Sequence, residues 1–189
     1  MYQFSSITQQ AAARDSALTQ ANFSVYPLRR LDAEVLIDAI NAITGTHDLY
    51  TSPIPEPFTY IPRDLPAIAL ADGSITSPFL ALFGRSARAT GMASERDNQP
   101  VAAQWLHTLN SSHIQKKLDS SSRLKALLEK RRKPQQTLEE LYLMVLSRRP
   151  SAEEVTRAVP SGKRAKLKRS DWIDLTWALL NNTEFLYRH

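Results

Sequence analysis

Apolar residues recur at three- and four-residue spacing in blocks separated by polar, proline-rich or glycine-marked stretches, the pattern of amphipathic helices. The first block opens at Asp32, a good N-cap, with Glu34 in the first turn. Val35, Leu36, Ala39, Ile40 and Ile43 follow at helical spacing, and Gly45 supplies a stop, which predicts a helix over 32–44. Ser77-Pro78 caps and starts a short helix ended by Gly84, and Pro100 stands at the start of the next. There Val101, Ala102, Trp105, Leu106 and Leu109 mark one face. Asn110-Ser111-Ser112 breaks the run and caps a new helix bearing Ile114 and Leu118, and Leu124, Leu127 and Leu128 lie on a basic helix ending before Lys133-Pro134. Thr137 with Glu140 and Ser151 with Glu154 read as capping boxes. Between them Leu138, Leu141, Tyr142, Val145 and Leu146, widened by Leu143 and Met144, form an apolar surface broad enough for a central helix. A last long helix opens near Ser170-Asp171 and carries Trp172, Ile173, Leu175, Leu179 and Leu180. Thr183-Glu184 starts a terminal turn that docks Phe185, Leu186 and Tyr187.

Two stretches break this rhythm. Residues 1–26 lack a sustained helical period, apart from a short possibility at Ala11–Leu18, and read as an N-terminal arm or linker. Residues 46–76 hold Pro53, Pro55, Pro57, Pro62 and Pro66, which remove backbone donors and disfavour helix before them. Phe58, Tyr60 and Ile61 are placed to anchor this segment to a surface, and a turn at Asp72-Gly73 closes it. A stretch so long is a packed or functional loop rather than a plain connection. The expected architecture is therefore all-α: an irregular multi-helix bundle of about six to eight helices, with a long proline-rich loop and an N-terminal arm. A length of 189 residues suits one helical domain over 27–189.

Composition narrows the chemistry. With 42% hydrophobic residues the chain can bury a core, yet no apolar run approaches the ~20 residues of a membrane span. Residues 1–20 show no secretory signal pattern. The absence of cysteine excludes disulfides, thiolate metal sites, a cysteine nucleophile and covalently attached c-type haem. Net charge is +5 but unevenly spread: residues 1–100 hold seven Arg, no Lys and ten acids, and residues 101–189 hold 17 bases and nine acids. The basic segments Lys130–Lys133 and Lys163–Arg169 lack interleaved aromatics and a recognised nucleic-acid motif. They read first as solvated helix ends, with only weak, nonspecific, salt-sensitive polyanion binding as the alternative.

No nucleophile elbow or phosphate-binding glycine loop is present, and Ser77, Ser111, Thr137, Ser151 and Thr183 read as caps. His47, His107, His113 and His189 include no pair at the four-residue spacing of a helical metal site, so neither metal nor cofactor is expected. Trp105, Trp172 and Trp177 read as core. The best polar constellation is Arg30, Glu34, Arg85, Glu95 and Arg96, with Asp38 on the Glu34 face and Arg88 in the same loop. Such a set can pin two irregular loops to a helix bundle. Alternatively, its guanidiniums can bind an anion bidentately, while Glu34 or Glu95 serves as general acid or base.

Several segments together resemble a known family. Tyr26-Pro27-Leu28-Arg29-Arg30-Leu31-Asp32-Ala33-Glu34 leads into Asp38-Ala39 and Thr44-Gly45. Phe83-Gly84-Arg85, Ser94-Glu95-Arg96 with Asn98 and Pro100, and Leu109-Asn110-Ser111 follow, and Ala178–Tyr187 closes the series. Their order and spacing over about 22–189 resemble Domain of Unknown Function 1553, the C-terminal module of large planctomycete-type proteins. The resemblance implies an exported or cell-envelope multidomain setting, in which this module follows another uncharacterised domain and often a c-type cytochrome domain. Many members carry a cysteine pair before the Glu-Arg dipeptide; here Met92, Ala93 and Ser94 stand there. The resemblance carries no established activity. The expected role is a non-catalytic interaction or assembly module, partnered by an upstream domain or another protein. The alternative is part of a hydrolase acting on polysaccharide or another polymer, its site completed by an absent upstream domain.

Overall fold

The computed structural model describes residues 29–55, 57–70, 73–86, 95–97, 99–130, 132–159 and 167–188. The arm at 1–26, Asp72, Arg88, Met92–Ser94, Arg131, most of the Lys163–Arg169 run and His189 lie outside these described residues. The fold is mostly helical, as the periodicity predicts. Its helices are α1 (Ala33–Thr44), α2 (Pro78–Leu82), α3 (Ala102–Asn110), α4 (Ser112–Asp119), α5 (Ser122–Glu129), α6 (Pro134–Leu146), α7 (Ala152–Ala158), α8 (Arg169–Leu180) and α9 (Thr183–Leu186). Strands β1 (Arg29–Arg30) and β2 (Tyr187–Arg188) form a short antiparallel ladder that joins the two ends of the described chain, extended by Leu31 N–H donating to Leu186 O at 2.9 Å.

Helix α1 is the hub of the first half. Leu36, Ile37 and Ile40 are buried to the last few percent, and the helix packs on α2, α4, α5 and a 3₁₀ turn at Ala67–Ala69. Its inward stripe is rotated from the one predicted: Ile37 is buried and Val35 faces out, because Ala33, Glu34 and Ile37 share the face that meets the loops. Gly45 ends α1 at φ 68°, where a Cβ would collide with Ser122. Helix α6, expected to be central, packs against α5, α7, α8 and α9, with Leu138 and Leu141 fully buried. Helix α5 joins the two hubs by touching both α1 and α6.

The proline-rich segment is fixed differently from the prediction. Phe58 and Tyr60 are 84% and 75% exposed and anchor nothing, whereas Ile61, the third expected anchor, packs half-buried against the core. Tyr50, Ala67, Leu70 and Ile75 are buried instead, and Thr51 pairs with Thr76 in an isolated β-bridge. The carboxylate of Asp38 on α1 accepts from Ala67 N–H at 2.7 Å and Ile68 N–H at 2.9 Å, so the 3₁₀ turn is bound by hydrogen bonds where the aromatic anchors were expected.

Among the caps, Ser77, Ser111 and Ser151 act as predicted, each accepting from a backbone N–H of the following turn. Thr137 does not. Pro134, with its φ already helical, starts α6 almost one turn earlier, and the Thr137 hydroxyl donates to Lys133 O inside the helix. Asn182, rather than Thr183, caps α9.

Candidate functional site

Glu34 sits in the first turn of α1 with its side chain 5% exposed, facing the loop that follows α2. Arg96 grips it bidentately, Nη1 to Oε2 at 2.7 Å and Nη2 to Oε1 at 2.9 Å, and Arg85 Nε adds a contact to Oε1 at 3.1 Å. Arg85 also donates to the carbonyls of Ile75 and, at 3.4 Å, Leu70, so one guanidinium binds α1 to the end of the proline-rich segment. Burial alone would push the Glu34 carboxyl pKa up. The hydrogen bonds and charge of Arg96, with the charge of Arg85, outweigh it and hold the group below its ordinary range. The same pairing raises Arg96, against the opposing effect of its own burial.

The loop reaches Glu34 because Gly84 takes φ 85°, a left-handed conformation, and lies against Asp97 so closely that a Cβ there would overlap the Asp97 carbonyl. Asp97 N–H donates back to Gly84 O at 3.2 Å. Glu95 accepts from Ser86 Oγ at 3.0 Å.

Of the five predicted residues, Glu34, Arg85 and Arg96 converge directly, and Glu95 stands beside them on the returning loop. Arg30 does not join Glu34, although four residues separate them: it lies on β1, not on α1, so the helical spacing does not apply. Its guanidinium instead donates to Gln104 Oε1 and, at 3.2 Å, to Phe83 O, and lies 5.3 Å from the Phe83 ring centroid. Its Nε is buried without a partner, and burial lowers its pKa.

A second polar cluster was missed by the sequence reading. Lys117, 5% exposed, donates to Asn41 Oδ1 at 2.6 Å and Thr46 Oγ1 at 3.2 Å, and pairs with Asp48 at 3.1 Å. Asp48 also meets His113 Nε2 at 2.7 Å. Burial lowers the Lys117 pKa, partly offset by Asp48. Asp48 is held low in spite of its own burial by the His113 hydrogen bond and the Lys117 charge. The signal was available: Lys117 falls between Ile114 and Leu118 on the apolar stripe of α4. His107 and His113 stand either side of the helix break at Ser111, and their ring centroids approach to 5.8 Å across it.

Helix α3 holds a further surprise. Its buried residues are Gln104 and Thr108. Gln104 Nε2 donates to Leu82 O at 2.9 Å while its Oε1 accepts from Val101 N–H at 3.2 Å and from Arg30. Val101, Trp105, Leu106 and Leu109, predicted as the packing face, are exposed, Leu106 at 60%. Trp105 is thus not core; it stacks on Tyr187 at 6.5 Å, whereas Trp172 is buried and Trp177 is half-buried against the core. The inversion follows from Arg30: a buried guanidinium needs an acceptor, and Gln104 on the polar face supplies it.

An open groove of about 350 Å³ runs elsewhere, beside Asp38, Asn41, Thr46, His47, Asp64 and Arg123. None of the five predicted residues lines it. Among the described residues no cluster of three or more His, Asp or Glu side chains could hold a metal ion, and no helix is long and apolar enough to cross a membrane.

The family model PSD1, protein of unknown function (DUF1553), matches residues 1–161. The chain belongs to that family. The DUF1553 match includes α1, the proline-rich segment, the Glu34 cluster and α3 to α7, and it stops before α8, α9 and β2, over which the closing Ala178–Tyr187 segment runs. No curated protein and no solved structure matches this DUF1553 chain.

Proposed function

We propose that residues 27–189 act as one helical interaction or assembly module of a larger exported or envelope-associated protein, with 1–26 as an arm or linker. The observation that carries this reading is the outward apolar face of α3. Val101, Trp105, Leu106 and Leu109 stand on a helix locked in place from behind by Gln104, and no Lys, Arg, Asp or Glu occurs from Gln99 to Gln115. A charge-free apolar face of this kind fits a protein partner, such as an upstream domain, better than a polyanion. The basic second half adds only weak, salt-sensitive polyanion binding, since Lys130 and Arg132 both engage Glu140 and Arg157 engages Glu153.

The alternative, a share in a polymer hydrolase, needs a carboxyl free to move a proton. Glu34, gripped by Arg96 and Arg85 and held ionised, suits the pinning of two loops better.

The test places a photo-crosslinking amino acid at Leu106 and, as control, at Glu153 on α7, in the native host. A protein adduct from the Leu106 position alone, abolished by Leu109→Glu, is the expected result. Equal labelling at both positions, or none, overturns the reading. Release of reducing ends from a polysaccharide panel, lost in Glu95→Gln, would replace it with the hydrolase.

A further inference from the structure

The inner side of α3 carries one titratable group that the packing leaves without a partner. His107 Nε2 is buried and makes no hydrogen bond. Its ring stands edge-on to Phe79 at 5.5 Å and to Phe83 at 6.1 Å, both from α2 and its C-cap, and neither ring offers an acceptor lone pair. The charged or titratable groups on the elements packed near it include His113, Lys117, Arg30 and Asp48. His113 of α4 lies 5.8 Å away, Lys117 of the same helix pairs with Asp48, and Arg30 of β1 lies over Phe83. The anion among these groups, Asp48, already binds both His113 and Lys117.

We propose that His107 is an acid-sensitive latch, which as a neutral imidazole holds α3 against α2 and α4 and on protonation releases that helix. The chemistry is a proton taken from solvent by the imidazole, with no other bond made or broken. An imidazolium must donate from both ring nitrogens, and Nε2 has no acceptor to reach. The new charge would also stand in a half-buried apolar place, edge-on to Phe79 and Phe83 and 5.8 Å from the His113 ring. Burial first, and the neighbouring His113 second, lower the His107 pKa. The sign follows: the neutral form is favoured in the folded state, so stability is full above the ordinary histidine value of 6.5 and is lost as pH falls below it. The consequence for the docking reading, on which this step rests only for its biological use, is that acid withdraws the face built from Trp105, Leu106 and Leu109.

Amide hydrogen exchange across residues 102–110, corrected for intrinsic rates, tests the latch on the whole chain at about pH 7.5 and about pH 5. Protection of α3 should fall at the lower pH in the wild type and persist in His107→Phe, which keeps the ring contacts without a titrating group. His107→Gln serves if the phenylalanine variant folds poorly. In parallel, proton NMR titration of His107 in the wild type should track the opening of α3. Unchanged α3 protection in the wild type overturns the latch, as does an equal loss in the variants, which would show that the effect does not come from His107. Failure of the docking reading is separable: it shows as absent cross-linking at Leu106 at neutral pH, where the latch is closed.

Discussion

Burying the Glu34 carboxylate costs solvation energy that only complete pairing offsets, and here the pairing is complete on both oxygens. Glu34→Gln leaves Arg85 and Arg96 against a neutral amide, and should lower stability by about 3 kcal/mol at neutral pH in urea unfolding. Because the folded-state pKa of Glu34 is lowered, its contribution is present above the ordinary value of 4.5 and is lost as pH falls through the lower folded value. The wild type should therefore show a steeper acid slope than the glutamine variant, which keeps the shares of Asp48 and Glu154. Gly84 is the second decisive residue. Gly84→Ala adds a Cβ at positive φ against the Asp97 carbonyl, and a loss of about 2 kcal/mol is expected by calorimetry. Both residues stood out in the sequence, Glu34 as a first-turn acid and Gly84 as a helix stop. Their partners did not: Arg96 lies 62 positions from Glu34, a separation that no local pattern reports.

At the scale of elements, α3 separates two kinds of information. Its helical period was legible, and its start and the Ser111 break fall within a residue or two of the expectation. Which side faces inward was not, because the inward side is chosen by Arg30 and by the Leu82 carbonyl, both remote in sequence. Gln104→Ala should cost about 2 kcal/mol by stranding a buried guanidinium, while Leu109→Glu on the outer face should stay within about 0.5 kcal/mol of wild type. Equilibrium denaturation of the pair checks the inversion directly; reversed magnitudes would restore the apolar side to the core. The histidine pair has the same origin. His107 and His113 sit on two helices that turn at Ser111, and the angle of that turn brings their rings together.

Across the whole molecule, two hubs joined by α5 are closed at their far side by charge. Arg148 follows Ser147, which ends α6 at φ 56°. It donates to Glu184 at 2.6 and 2.8 Å and to Glu154 at 2.9 and 2.8 Å, and so ties α7 and α9 to the end of α6. The Arg148 hydrogen bonds, with that of the Ser151 backbone, pull the Glu154 carboxyl down to about 2. Arg148 is 37% exposed and each glutamate 28%, so solvent screening limits the network. Arg148→Ala should cost about 1 kcal/mol, less at high salt. The wild-type excess should vanish as pH falls from the ordinary 4.5 towards about 2, in melting curves recorded across that range.

The sequence by itself determined the all-α class, most helix limits, the serine caps and the principal core of α1, α6 and α8. These depend on interactions within a few residues: the helical period, hydroxyls accepting from the next turn, and proline or glycine at fixed φ. Only the tertiary structure decided that Lys117 would meet Asn41, Thr46 and Asp48, that Phe58 and Tyr60 would stay in water while Asp38 held the loop, and that α3 would turn its apolar side outward. In each case a buried polar group had to find a partner far along the chain, and that requirement overrode the local preference of apolar side chains for the interior.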